Sequence, residues 1–244
     1  MATSYQVTVQ MSGETLTQLS ASGNVLYGLL ATQTSDAAAL PLVWLSQANY
    51  SQSTTITWSD TYRVYTSFST LSATAGPISV GASAALQLGE LLNVTANGGV
   101  DQPVTGFAGK LTAYNTTDSS YVAGVMQTAN NATPTPTCGL PLNGYEGIMM
   151  VPQAILVLLF SSAKVAVGQA VKQWPHAAYN AVQIDLTATA QRSLTFDIHT
   201  GWSWGTGVWA KVEPFGTDLS QVLILPTIPA LTASQWTSLL LQIR

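Results

Sequence analysis

Apolar and polar residues alternate with a period of two through much of this chain. At the outset Tyr5, Val7, Val9 and Met11 point one way and Gln6, Thr8 and Gln10 the other, the mark of a strand with one buried and one wet face. The same texture, β-branched or aromatic residues between clusters of Gly, Pro, Asn or Ser, predicts strands over Asn24 to Gln33, Leu42 to Ser46, Thr54 to Trp58, Tyr62 to Ser67, Ile78 to Ala82 and Leu91 to Thr95. After the turn-rich stretch Asn97 to Pro103 it resumes at Gly109 to Tyr114, Tyr121 to Gln127, Ala154 to Phe160, Val165 to Val171, Ala181 to Thr187, Leu194 to His199, Val208 to Val212 and Val222 to Leu225. Ala154 to Phe160 breaks the alternation. It is a continuous apolar run, which predicts a strand covered on both faces. The wider apolar window, Ile148 to Phe160, is shorter than the roughly 20 residues a membrane-spanning helix needs.

Short strands with turns between them argue for an all-β fold of one or two antiparallel β-sandwich domains rather than βαβ units. The turn cluster suggests a division into residues 1–103 and 104–244, with a single all-β domain as the alternative. Thr128 to Pro141, with Asn130-Asn131 and three prolines, reads as a long loop or a crossing between domains. Helix signals are few. In the tail, Thr232 followed by Gln235 fits a capping box ahead of Trp236, Leu239, Leu240 and Ile243, so a short C-terminal helix competes with a terminal strand.

Composition narrows the functional classes. The chain carries 54 serine and threonine residues among 244, yet only 7% of its residues are charged, against about 25% in an ordinary domain. At 47% hydrophobic it has the apolar surface to fold. Seven basic residues and a net charge of -4 do not make a nucleic-acid surface. Cys138 is the single cysteine, which excludes an internal disulfide and a cysteine-built zinc site. The N-terminus has neither a basic nor an apolar signal-peptide region, so a cytoplasmic protein is expected, or a secreted one if this is a processed form.

Candidate chemistry is sparse. No G-x-S-x-G, P-loop, H-E-x-x-H or dinucleotide-binding motif occurs, and no metal or cofactor is expected. The histidines are His176 and His199. Asp197 and His199 lie two apart on a predicted strand, and Asp185 would join them if a hairpin turned around Ala188 to Gln191; a base with an orienting carboxylate and a strand-end pair satisfying loop backbone are both consistent with this. The densest signal is Gly201 to Trp209. Trp202 and Trp204 share a face in extended conformation and Trp209 returns after a glycine turn, forming either a stacking platform for sugars, with Asp197, His199 and Thr206 as polar partners, or the closure of a β-core. Trp58, Tyr62, Tyr65 and Phe68 form a second aromatic group, read as core.

With those strands and the Trp202-Ser-Trp204 strip in view, the chain resembles the Ser/Thr-rich, lysine-poor β-proteins without signal sequences of fungal fruiting bodies, which include lectin-like and defence proteins. That resemblance implies cytoplasmic storage, oligomerisation and glycan or membrane recognition. The residues themselves add a physical reason for self-association. Four lysines, Lys110, Lys164, Lys172 and Lys211, leave most strand edges without a charged guard, and a coat of hydroxyls and amides offers little repulsion to another copy. The leading expectation is a non-enzymatic homo-oligomer that binds neutral glycans. A structural protein assembling into a ring, tube or filament, and a membrane-acting pore-forming toxin, follow it; the scarcity of Lys and Arg disfavours membrane contact.

Overall fold

The computed structural model describes residues 2–174, 179–232, 234–236 and 238. Among these described residues the fold is all-β, with three sheets and only short helices. Sheet one runs β17 (Gly201–Ser203), β16 (Gln191–Asp197), β1 (Ser4–Gln10), β5 (Ser53–Ser59). Sheet two runs β18 (Ala210–Glu213), β15 (Ala181–Asp185), β14 (Gly147–Ser161), β10 (Leu111–Asn115), β8 (Glu90–Val94), β9 (Val104–Thr105); β2 (Val25–Thr34) also pairs with β14 and carries β4 (Leu45–Gln47) and β19 (Ile224–Leu225). Sheet three runs β3 (Leu40–Pro41), β13 (Cys138–Leu142), β11 (Tyr121–Gln127), β6 (Tyr62–Ser67), β7 (Ala82–Leu86), with β12 (Thr135–Pro136) on β11.

The organising strand is β14. Along one side β2 pairs with it from Met150 to Ser161, slipping register between Pro152 and Leu156, where the proline has no N–H to give a ladder. The other side is divided: β10 takes Gly147 to Met150 and β15 takes Ile155 to Leu158. The strand thereby serves two sandwiches. Leu156, Leu158 and Phe160 meet sheet one in a core with Val7, Val9, Ile56, Phe196 and Trp202. Ile148 and Met150 meet sheet three in a core with Val64, Ala123, Val125 and Leu140. The reverse faces are covered too: Val157 and Leu159 lie against Tyr27, Trp174, Leu219 and Leu223, and Met149 against Ile228 and Trp236. The continuous apolar run is therefore a strand buried on both sides, as its composition predicts.

Each of the three sheets takes strands from both sides of residue 103, so the chain does not divide there. The pairings responsible are long-range, β1 with β16, β6 with β11, β8 with β10 and β2 with β14. Among the described residues three pairings are parallel, β1–β16, β8–β10 and β19–β2, so sheets one and two are mixed, while sheet three is antiparallel throughout.

Other departures have local causes. Gly13–Ala21 forms a helix, α1, where the pattern predicts none; the Ser12 side chain accepts from the N–H of Thr15 and starts it. Residues 138–142 form β13 inside the expected long loop. Gly124 permits this, because a Cβ there would collide with the carbonyl of Cys138 on the neighbouring strand. Residues 165–171 are loop instead of strand, and Leu219–Leu223 is a short helix, α2, capped by Asp218. At the tail the capping box is present: Gln235 Oε1 accepts from the Thr232 N–H at 2.8 Å, and Thr232 Oγ1 from the Gln235 N–H at 3.3 Å. Residues 234–236 are helical, and Trp236 packs where Gly147 leaves room for its ring; Leu239, Leu240 and Ile243 lie outside the described residues.

Candidate functional site

The six residues singled out from the sequence do not form one site. Trp202 is 7% exposed and belongs to the core, stacked on Phe160 at 5.7 Å between ring centroids with its Nε1 donating to the carbonyl of Asn180. Its position follows from alternation on β17, where Ser203 faces water. Trp204 and Trp209 are half-buried. Their rings lie 6.1 Å apart at the edge where β17 of sheet one and β18 of sheet two are joined by residues 204–209. The Arg192 guanidinium sits 4.8 Å from the centre of the Trp209 ring, so a cation already occupies one side of that indole. The connecting loop is tight: Trp204 Nε1 donates to the Gly207 carbonyl at 3.3 Å, leaving Thr206 exposed and Val208 fully exposed.

Asp197 and His199 lie at the opposite end of the β16–β17 hairpin. Asp197 pairs with Gly201 at the turn, whereas Trp204 lies past Ser203, level with the strand beyond Thr195, about three residue steps or roughly 10 Å away. The Asp197 carboxylate binds backbone, not the imidazole. Its Oδ1 accepts from the N–H groups of His199 at 2.9 Å and Thr200 at 3.0 Å, and Oδ2 from the Thr15 hydroxyl at 3.3 Å. Those backbone N–H groups, His199's first, hold its pKa below the usual carboxylate range. The exposed His199 ring is 3.6 Å from Glu14. Asp185 is not on a neighbouring strand, because β15 and β16 belong to different sheets that face each other across a core; it closes its own turn through Thr187 at 2.8 Å. His176 lies outside the described residues. Cys138 is buried, which pushes its thiol pKa up.

Of the second aromatic group, Trp58, Tyr62 and Tyr65 are buried, while Phe68 is 67% exposed and meets Tyr121 by its edge.

A feature that sequence alone shows only strand by strand emerges from the register of sheet one. Its inner side chains fill the core. Its outer side chains line up in rows, Thr57–Gln6–Gln191, Thr55–Thr8–Ser193 and Ser53–Gln10–Thr195, with Ser203 beyond Thr195. No charged residue stands in these rows. Hydrogen bonds tie them across strands, Thr8 to Thr55 at 3.3 Å and Gln10 to Ser53 at 3.1 Å. The open edge of β5 is guarded without charge: the Asn130 side-chain oxygen accepts from the Thr57 N–H at 2.8 Å, and its own N–H donates to the Thr57 carbonyl at 2.8 Å, imitating a strand partner.

Among the described residues no three His, Cys, Asp or Glu side chains gather as metal ligands, and no helix is long and apolar enough to cross a membrane. The chain matches no protein-family model, no curated protein and no solved structure.

Proposed function

We propose that the chain is a non-catalytic, self-associating β-protein that binds neutral glycans. The observation that carries the reading is the outer face of sheet one, a pinned and ion-free array of Ser, Thr and Gln. Hydroxyls and amides exchange water for the hydroxyls of a sugar, or for the same groups on a second copy, at far lower desolvation cost than charges would. The half-buried Trp204 and Trp209 edge adds one aromatic surface for a sugar ring. On this reading the protein is a lectin-like or defence protein held in the cytoplasm, in keeping with the fungal proteins it resembles in texture.

Two measurements test it. Light scattering across dilution and salt should give particles larger than 25.7 kDa that hold or tighten as salt rises, because neutral contacts are not screened. A glycan array should retain the chain on neutral saccharides. A monodisperse 25.7 kDa species that binds no glycan removes the proposal.

The reading as a structural assembler draws on one further element. β7 ends sheet three with the sequence Ala-Ser-Ala-Ala-Leu, an edge strand with no charged residue or proline of its own, on which the Arg63 guanidinium of β6 reaches the Ser83 carbonyl at 3.0 Å.

A further inference from the structure

The Ser59–Asp60–Thr61 turn joins β5 of sheet one to β6 of sheet three, so it lies where the two sandwiches meet. Its carboxylate is held by two phenols. Tyr5 donates to Asp60 Oδ2 at 3.2 Å and Tyr62 to Oδ1 at 3.0 Å. Tyr5 is fixed in turn by stacking on Trp58, 5.3 Å between centroids and 24° between planes, and Tyr62 is 9% exposed. The Asp60 N–H donates to the Thr3 carbonyl at 3.0 Å, fixing the backbone as well. Burial first, then the negative charge of Asp60, raises the pKa of both phenols, so each keeps its proton and remains a donor.

A groove of about 790 Å³ opens at this carboxylate, within the range of small-molecule sites. Thr61 and Gln87 line it with a hydroxyl and an amide, while Leu88, 46% exposed, and Pro103 give it an apolar side. We propose that this groove is a binding subsite for a neutral sugar, with Asp60 as its acceptor. A carboxylate offers about four acceptor positions, and the phenols take one on each oxygen, which leaves two for the hydroxyls of a pyranose in the groove. The apolar side suits the C–H face of the ring. Lysine and arginine are missing from the lining, so an acidic ligand has no counter-charge here. The second carboxylate of the groove, Glu90, is engaged by the Gln87 N–H at 2.7 Å.

The inference rests on the reading that the chain binds neutral glycans. Its test uses the intact chain and a panel of methyl hexopyranosides and their N-acetylamino forms, followed by saturation-transfer NMR and titration. Asp60→Asn, which keeps size but removes the charge, should weaken binding roughly 10- to 100-fold. Ala85→Trp, which fills the groove from exposed β7, should abolish it. Near-UV circular dichroism matching the parent keeps either variant interpretable, and the two report independently. Unchanged affinity in both variants, with loss in Trp204→Ala, overturns the groove and moves the sugar to the indole edge while the general reading survives. Saturation of the groove by tetramethylammonium instead of hexosides also overturns it. If the parent chain retains no hexoside, the general reading fails and the groove assignment fails with it.

Discussion

β1 and β14 are both central strands of mixed sheets, yet they meet water in opposite ways. Val7 and Val9 of β1 are fully buried while Gln6, Thr8 and Gln10 face outward; in β14 every residue from Leu156 to Ser161 is buried. The difference lies in what covers each sheet. β14 has sheet one on one face and the loop carrying Trp174, with α2, on the other. Nothing in the described chain covers the outer face of β1. A doubly covered strand gives cohesion, and a singly covered one presents a surface whose chemistry the core leaves free.

The contrast can be broken most forcefully at β14. Phe160 lies 4.7 Å from Phe196 and 5.7 Å from Trp202, and Phe160→Ala should cost about 3–5 kcal/mol in denaturant unfolding. Leu159→Ala, on the opposite face, should cost about 2–5 kcal/mol, whereas Thr8→Ala should stay within about 0.5. Equal costs at Leu159 and Thr8 would mean that β14 has only one buried face. Next in size is Asn130→Ala, which removes the acceptor for the Thr57 N–H and leaves alanine in a left-handed conformation, φ 50. A loss of about 1–2 kcal/mol is expected, together with a greater tendency to aggregate as the β5 edge opens.

A Thr8→Lys, Ser193→Lys pair places charge in the middle of the outer rows. Because the two ammoniums face each other across the strands, stability in denaturant unfolding should fall by about 1 kcal/mol or less, while light scattering should show the particle falling toward 25.7 kDa. Particles of unchanged mass would shift self-association to another surface, with the β7 edge next to be tried. The smallest effect is a pH dependence. Asp197 is held below its ordinary value of 3.8, first by the His199 N–H. At Asp218 burial works the other way, but the Ser220 hydroxyl and N–H and the Lys172 ammonium outweigh it, and the net shift is again downward. A carboxylate depressed in the folded state contributes stability above the unfolded pKa and loses it as pH falls through the folded one. Melts should therefore decline below about pH 4, and Asp197→Asn should flatten that decline.

Much of the architecture is legible in the chain. β6 and β11 begin and end where the alternation says, and the apolar run of β14 announces its double burial. α1 was carried by a signal that the alternation hides, a serine cap ahead of a polar stretch whose buried residues are Thr15 and Leu19. The candidate site was far less legible. Trp202 and Trp204 have the same spacing parity, but Trp202 meets Phe160 and Phe196 whereas Trp204 lies where the sheet ends. The groove at Asp60 left no trace, since Tyr5, Asp60 and Gln87 are joined only by the pairing of β1 with β5 and the return of β7 along β6.

What the sequence determined by itself is the class of fold and the chemistry of the surface, because side-chain alternation and the scarcity of ions act locally, residue by residue. What only the tertiary structure decided is which strands are neighbours. Pairing is chosen by the total burial it achieves across the whole chain, and that choice placed Gln6 between Thr57 and Gln191, interleaved the two halves, and brought a carboxylate between two phenols at the head of a groove.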